Sequence, residues 1–170
     1  MKKTLLALIV AGFTCLSGFA QETNIQPIDS LVSVVDSLST RLDKLQHNFD
    51  YLETKYSLDN VLSSLYEQSN NASLYSQRLV TEIYHSHYNH DLYTAYLNNY
   101  NASISQFDAT KQLVSSVKTN VAIRMIIYDF SEAEKNVLYS SLNSIEKAIS
   151  RTQSSLDLYK IALDSYYGLR

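Results

Sequence analysis

The chain has 170 residues, of which 45% are hydrophobic and 18% charged, with a formal net charge of −3, one cysteine and no tryptophan. That is the length of one domain. It is too apolar for disorder throughout, and it lacks the basic stripe that nucleic-acid binding requires.

At the N-terminus, Lys2 and Lys3 are followed by an apolar run from Leu5 to Leu16 and then by Gly18-Phe19-Ala20. Positive start, short apolar core and small residues at −3 and −1 are the layout of a secretory signal peptide, so residues 1–20 are expected to be removed before Gln21. The run is too short to span a membrane, and no other segment is apolar enough to do so. Cys15 stands where a bacterial lipoprotein would carry its lipidated cysteine, but Gly12-Phe13-Thr14 fit that signal poorly. The preferred reading is a cysteine inside a discarded leader and an exported protein of the periplasm or extracellular space. The mature chain then has no disulfide, and packing alone must stabilise it. Its 14 basic residues, less Lys2 and Lys3, stand against 17 acidic ones, a balance of −5.

Residues 21–27 are expected to be extended and flexible, with Pro27 at or just before the start of a helix. Between Pro27 and Gly168 there is no glycine and no proline, where an average globular stretch carries roughly one in eight. Tight turns are therefore few and the elements long. From Ile28 the apolar positions follow steps of three and four without a slip. Ile28, Val35, Leu42, Phe49 and Tyr56 take heptad position a, and Leu31, Leu38, Leu45 and Leu52 take position d. Asp29, Asp36, Asp43 and Asp50 recur at position b, on the flank expected to be wet. A strict seven-residue repeat keeps a narrow seam turned toward a partner helix and implies left-handed supercoiling.

After Tyr56 the register shifts, and Leu58, Leu62 and Leu65 are expected on a slightly rotated face. Ser69-Asn70-Asn71 is a plausible break. The stretch from His85 to Asp91 is the poorest helix former, so a kink or loop is expected near Asn89. Periodicity returns with Tyr93, Leu97, Tyr100, Ile104, Phe107, Val114, Val121, Met125 and Tyr128, interrupted by Lys111 and Lys118 at seam slots. Ser131 followed by Glu134 is a capping box that starts a last helix, with Glu132 suited to the positive end of the helix dipole. That helix presents Leu138, Leu142, Ile145, Ile149, Thr152, Leu156, Tyr159, Leu163 and Tyr166, and Gly168 is expected to close it in the left-handed conformation. The fold expected over residues 28–168 is thus all-α, an elongated antiparallel bundle of three to four long helices with coiled-coil seams.

Two clusters invite chemistry. On a helix, His87, His90 and Asp91 share one face at spacings of three and four, a donor set suited to zinc, copper or nickel. The competing reading is a solvated polar kink. Tyr84, Tyr88, Tyr93, Tyr96 and Tyr100 offer flat apolar faces with polar tips, for a sugar or protein partner or simply for packing in a thin bundle. No Gly-x-Ser-x-Gly elbow and no glycine-rich phosphate loop is present, so neither an enzyme nor a cofactor is expected.

The leading expectation is a non-catalytic subunit of the bacterial cell envelope, structural, adaptor or assembly in role. Its protein partner is met through the seams at Leu31, Leu38, Leu45, Leu52, Leu142, Ile149, Leu156 and Leu163. That partner can be a further copy, as a dimer or trimer. The leader, the long helices and the capped, Tyr-bearing last helix loosely resemble the minor pilus subunits of conjugative type IV secretion systems, without a diagnostic motif. In size and helix content the chain also resembles the Skp-like periplasmic holdases, though those are basic and this chain is acidic. A metal-binding bundle through His87 and His90 is the remaining alternative.

Overall fold

The computed structural model describes residues 25–85 and 88–170. The leader expected over residues 1–20, Cys15 and residues 21–24 lie outside the described residues, as does His87. The described residues form three helices and no strand: α1 (Ile25–Tyr84), α2 (His90–Ile127) and α3 (Glu132–Tyr167). The helix start precedes the expected one, so Pro27 falls inside the first turn of α1. There its missing N–H would have had no intrahelical partner.

The chain divides into two units, Met1–Lys44 and Leu45–Arg170. In the first, residues 29–44 are helical, and their large apolar side chains, Leu31, Val32, Val34, Val35, Leu38 and Leu42, are all exposed.

In the second unit the three helices run up, down and up. Contacts between α1 and α2 descend one helix as they climb the other: Arg124 reaches Glu53 and Thr54, Gln68 reaches Thr110, and Tyr75 meets the Tyr96 ring. Those between α1 and α3 advance together, from His47 with Glu134 to Leu65 with Thr152 and Ser69 with Ser155. These helices are therefore parallel and in step. The α2–α3 contacts, Lys118 with Glu146 and Tyr93 with Tyr167, are antiparallel. Short connections impose this topology on successive helices.

The core is built from Leu58, Val61, Leu65, Ala72 and Leu79 of α1, Phe107, Val114 and Val121 of α2, and a line on α3 from Leu138 through Ile145, Leu156, Tyr159 and Leu163 to Tyr166. The α3 line follows its expected three-and-four pattern, with Leu142 and Ile149 partly buried at its edge. On α2 the interruptions at Lys111 and Lys118 are covered by ion pairs with Asp108 and Glu146, and Lys111 also sits over the Phe107 ring. Thr110 takes the buried position beside Lys111.

Polar side chains cross the middle of this core. Gln68 Nε2 donates to Thr110 Oγ1 at 2.8 Å and to Ser64 Oγ at 3.1 Å. Thr152 Oγ1 is shared between the carbonyls of Leu65 and Ala148, and the Ser69 and Ser155 hydroxyls lie 3.0 Å apart. Gln68 Oε1 is buried without a hydrogen-bond partner, while the bonds of Gln68 Nε2, Thr152 and Ser69 are made only when the helices are in one register.

Three expectations are corrected. The break at Ser69-Asn70-Asn71 does not occur, because Gln68 and Ser69 hydrogen-bond across the core and Ala72 is buried, while Asn70 and Asn71 face solvent. Tertiary contacts there outweigh the weak helix propensity of asparagine. Gly168 is not left-handed: with φ −63° and ψ −13° it continues the right-handed turn, its N–H reaching the Asp164 carbonyl. The face carrying Leu58 and Leu65 is not a slight rotation of the heptad seam. Those residues take position c, about 160° round the helix from position a and about 100° from position d.

Two breaks fall where expected. Asn89 caps α2, its side chain accepting from the Leu92 amide at 3.0 Å. Ser131 caps α3 with both arms of the capping box, its Oγ accepting from the Glu134 amide while its own N–H donates to the Glu134 carboxylate at 2.8 Å. The Ser131 hydroxyl, first of all, holds the Glu134 carboxyl below its ordinary 4.5, with help from the Ser131 amide and His47 against the opposing effect of burial. A carboxyl depressed in the folded state contributes stability that is present above its unfolded value and lost as pH falls through the folded one.

Two outcomes follow. Leu65→Ala empties a fully buried site and should cost about 3 kcal/mol in urea unfolding. Ser131→Ala should cost about 1 kcal/mol at pH 7 and should flatten the fall in stability below pH 4.5, both read from melts across pH.

Candidate interaction surface

Heptad positions around α1 explain what the bundle uses and what it leaves. With Ile28 at a, the residues that α1 turns into the bundle at its start are His47 and Thr54 at f, Tyr51 and Leu58 at c, and Asp50 at b. Asp50 and Thr54 are buried and Tyr51 and His47 half-buried. Asp50 was expected on the wet flank; it is inside because this polar face is the one that packs.

Each inward group has a partner. Asp50 accepts from Gln46 Nε2 at 3.0 Å, and Thr54 Oγ1 donates to the Asp50 carbonyl. His47 Nε2 lies 3.2 Å from the Glu134 carboxylate with its ring edge-on to Phe130, which Tyr51 also meets edge-on. Arg124 bridges Glu53 and Thr54 from α2.

The a and d positions of the same turns point the other way. Leu45, Phe49, Leu52 and Tyr56 are 60–67% exposed. Phe49, Leu52 and Tyr56, with the stems of Glu53, Lys55 and Asp59, line an open, mostly apolar groove of about 530 Å³. In the first unit, Leu31, Val35, Leu38 and Leu42, at the same heptad positions, are 44–57% exposed. Single exposed apolar residues are ordinary, but an unbroken apolar period is not. The heptad positions Leu156 and Leu163, by contrast, are buried in the core of the second unit.

The other candidate clusters resolve differently. Tyr93, Tyr96 and Tyr100 are half-buried among rings from the other helices: Tyr75 stacks on Tyr159 at 5.7 Å, Tyr100 meets Tyr159 edge-on at 5.5 Å, and Tyr93 lies 5.1 Å from Tyr167. Tyr159 Oη donates to the Tyr96 carbonyl at 2.8 Å, and the Asn89 amide donates to Tyr166 Oη at 3.0 Å. These tyrosines pack the bundle and anchor the α1–α2 connection, whereas Tyr84 is exposed. Burial first, then the neighbouring tyrosines, pushes the Tyr159 phenol above its ordinary 10.

His90 opens α2 on the surface, 3.3 Å from the Tyr88 hydroxyl, and Asp91 is exposed beside it. Among the described residues, which exclude His87, no group of three or more His, Cys, Asp or Glu comes together, and no helix is long and apolar enough to cross a membrane.

Comparison with protein-family models, with curated proteins and with solved structures finds no match.

Tyr159→Phe should cost about 1 kcal/mol, and in the wild type the Tyr159 phenol, with Tyr96 beside it also raised by burial, should resist ionisation above pH 10 until the bundle unfolds. Alkaline difference spectroscopy on the two proteins checks both.

Proposed function

We propose that this chain is an exported, non-catalytic assembly or adaptor subunit of the bacterial cell envelope, and that it works by helix-to-helix association through the a/d positions of α1. One observation carries the reading: between Leu45 and Tyr56 the polar face of α1 packs inward while the apolar heptad face is exposed. An amphipathic helix with no further partner would do the reverse.

Ten large apolar side chains between Leu31 and Tyr56 are exposed. At roughly 100 Å² each they offer on the order of 1,000 Å² per chain, against the roughly 800 Å² per partner of a stable protein interface. The strict period favours a partner helix over the irregular clients of a holdase. Export rests on Lys2, Lys3, the apolar run and Gly18-Phe19-Ala20.

Sedimentation of the chain beginning at Gln21 tests the association. The wild type should be a dimer or trimer at micromolar concentration, and Leu38→Asp should shift it to monomer without loss of helical circular dichroism. A wild-type monomer that ignores the substitution, particularly one that suppresses aggregation of an unfolded client, would favour the holdase reading.

A further inference from the structure

Resting on that reading, we infer that the partner is a second copy of this chain running antiparallel, its residues 31–42 lying along residues 45–56 of the first.

Side-chain volume argues for the orientation. In a parallel pair each a residue faces its own copy, so Phe49 would meet Phe49 and Tyr56 would meet Tyr56, while Val35 would meet only Val35. A valine layer suits a parallel pair, but the two aromatic layers would be crowded, and packed interfaces tolerate overpacking poorly. In an antiparallel pair a faces d. Tyr56 then meets Leu31, Phe49 meets Leu38, Leu52 meets Val35 and Leu45 meets Leu42, so that every layer joins a leucine to one other apolar residue. The groove beside Phe49, Leu52 and Tyr56 receives Leu31 and Val35 of the other copy.

Charge selects the register. Antiparallel pairs place g beside g and e beside e. The g positions are Val34, Arg41, Asn48 and Lys55, and the e positions Val32, Ser39, Gln46 and Glu53. Sliding one heptad in one direction sets Arg41 against Arg41, and sliding it in the other sets Arg41 against Lys55. Only the intermediate register, the one described above, sets Arg41 beside Asn48. It also lays Lys55 and Glu53 over Val34 and Val32. Their charged ends are already occupied within the chain, Lys55 by Asp59 and Glu53 by Arg124, so their stems can cover the valines at no electrostatic cost.

Cysteine pairing reads the orientation directly, in the chain beginning at Gln21, which lacks Cys15. Mixing a Leu38→Cys chain with a Phe49→Cys chain under mild oxidation should give the mixed disulfide, identified by mass spectrometry. Each variant alone should give at least tenfold less disulfide dimer. In this register the two copies of position 38 are eleven residues out of step, roughly 16 Å, beyond the reach of a disulfide. Efficient homodimer cross-links from either variant alone would overturn the antiparallel assignment and leave association standing. Absence of any dimer in sedimentation would overturn association itself.

Asn48→Lys gives a second reading without cysteines. It places a lysine beside Arg41 of the antiparallel partner and should weaken the dimer severalfold. In a parallel pair the same lysine would face Glu53 and strengthen it, so a gain in affinity contradicts the proposal.

Discussion

The structure depends on the way α1 is divided between two jobs. Over three turns, from Leu45 to Tyr56, the side chains that enter the bundle are His47, Asp50, Tyr51 and Thr54, and those left outside are Leu45, Phe49, Leu52 and Tyr56. Burying a polar face costs free energy unless every group on it finds a hydrogen bond. Here the bonds come from Gln46, Glu134 and Arg124. The inward polar face is satisfied within the chain, the outward apolar face is not, and in the function proposed above another helix covers the second.

That division is held by the remainder of the bundle. The capping box at Ser131 fixes where α3 begins, and Glu134, the residue that completes the cap, also reaches His47 on α1. From that point α1 and α3 advance in step through Thr152 and Ser155, so the polar groups of the core lock one register. At the other end the tyrosines around Tyr159 and Tyr166 tie the α1–α2 connection to α3. Turning α1 about its axis to bring positions a and d inward would unpair both sets, and so the outward direction of Phe49 and Tyr56 is set by contacts on the opposite side of the helix.

Local signals in the sequence were read where their chemistry is local. The capping box of Ser131 with Glu134, the interruption near Asn89, and the apolar period from Leu138 to Tyr166 each depend on residues within a turn or two, and the structure has all three. The failures lie where a distant helix decides. Asn70 and Asn71 look like a break until Gln68 and Ser69 are seen bonded to α2 and α3. Asp50 looks like a solvated flank residue until the polar face of α1 turns inward. The heptad from Leu31 to Tyr56 was legible as a seam, but apolar period alone cannot tell whether a seam closes on its own chain. Burial of the opposite face answers that for residues 45–56.

Hydrogen exchange measured as a function of protein concentration tests the central claim most directly. Residues 31–42 of α1 have only exposed apolar side chains in the single chain, so their amides should exchange rapidly when dilute and become protected as concentration rises, together with those of residues 45–56. Protection that is the same at every concentration, in a chain that sediments as a monomer, would contradict the account.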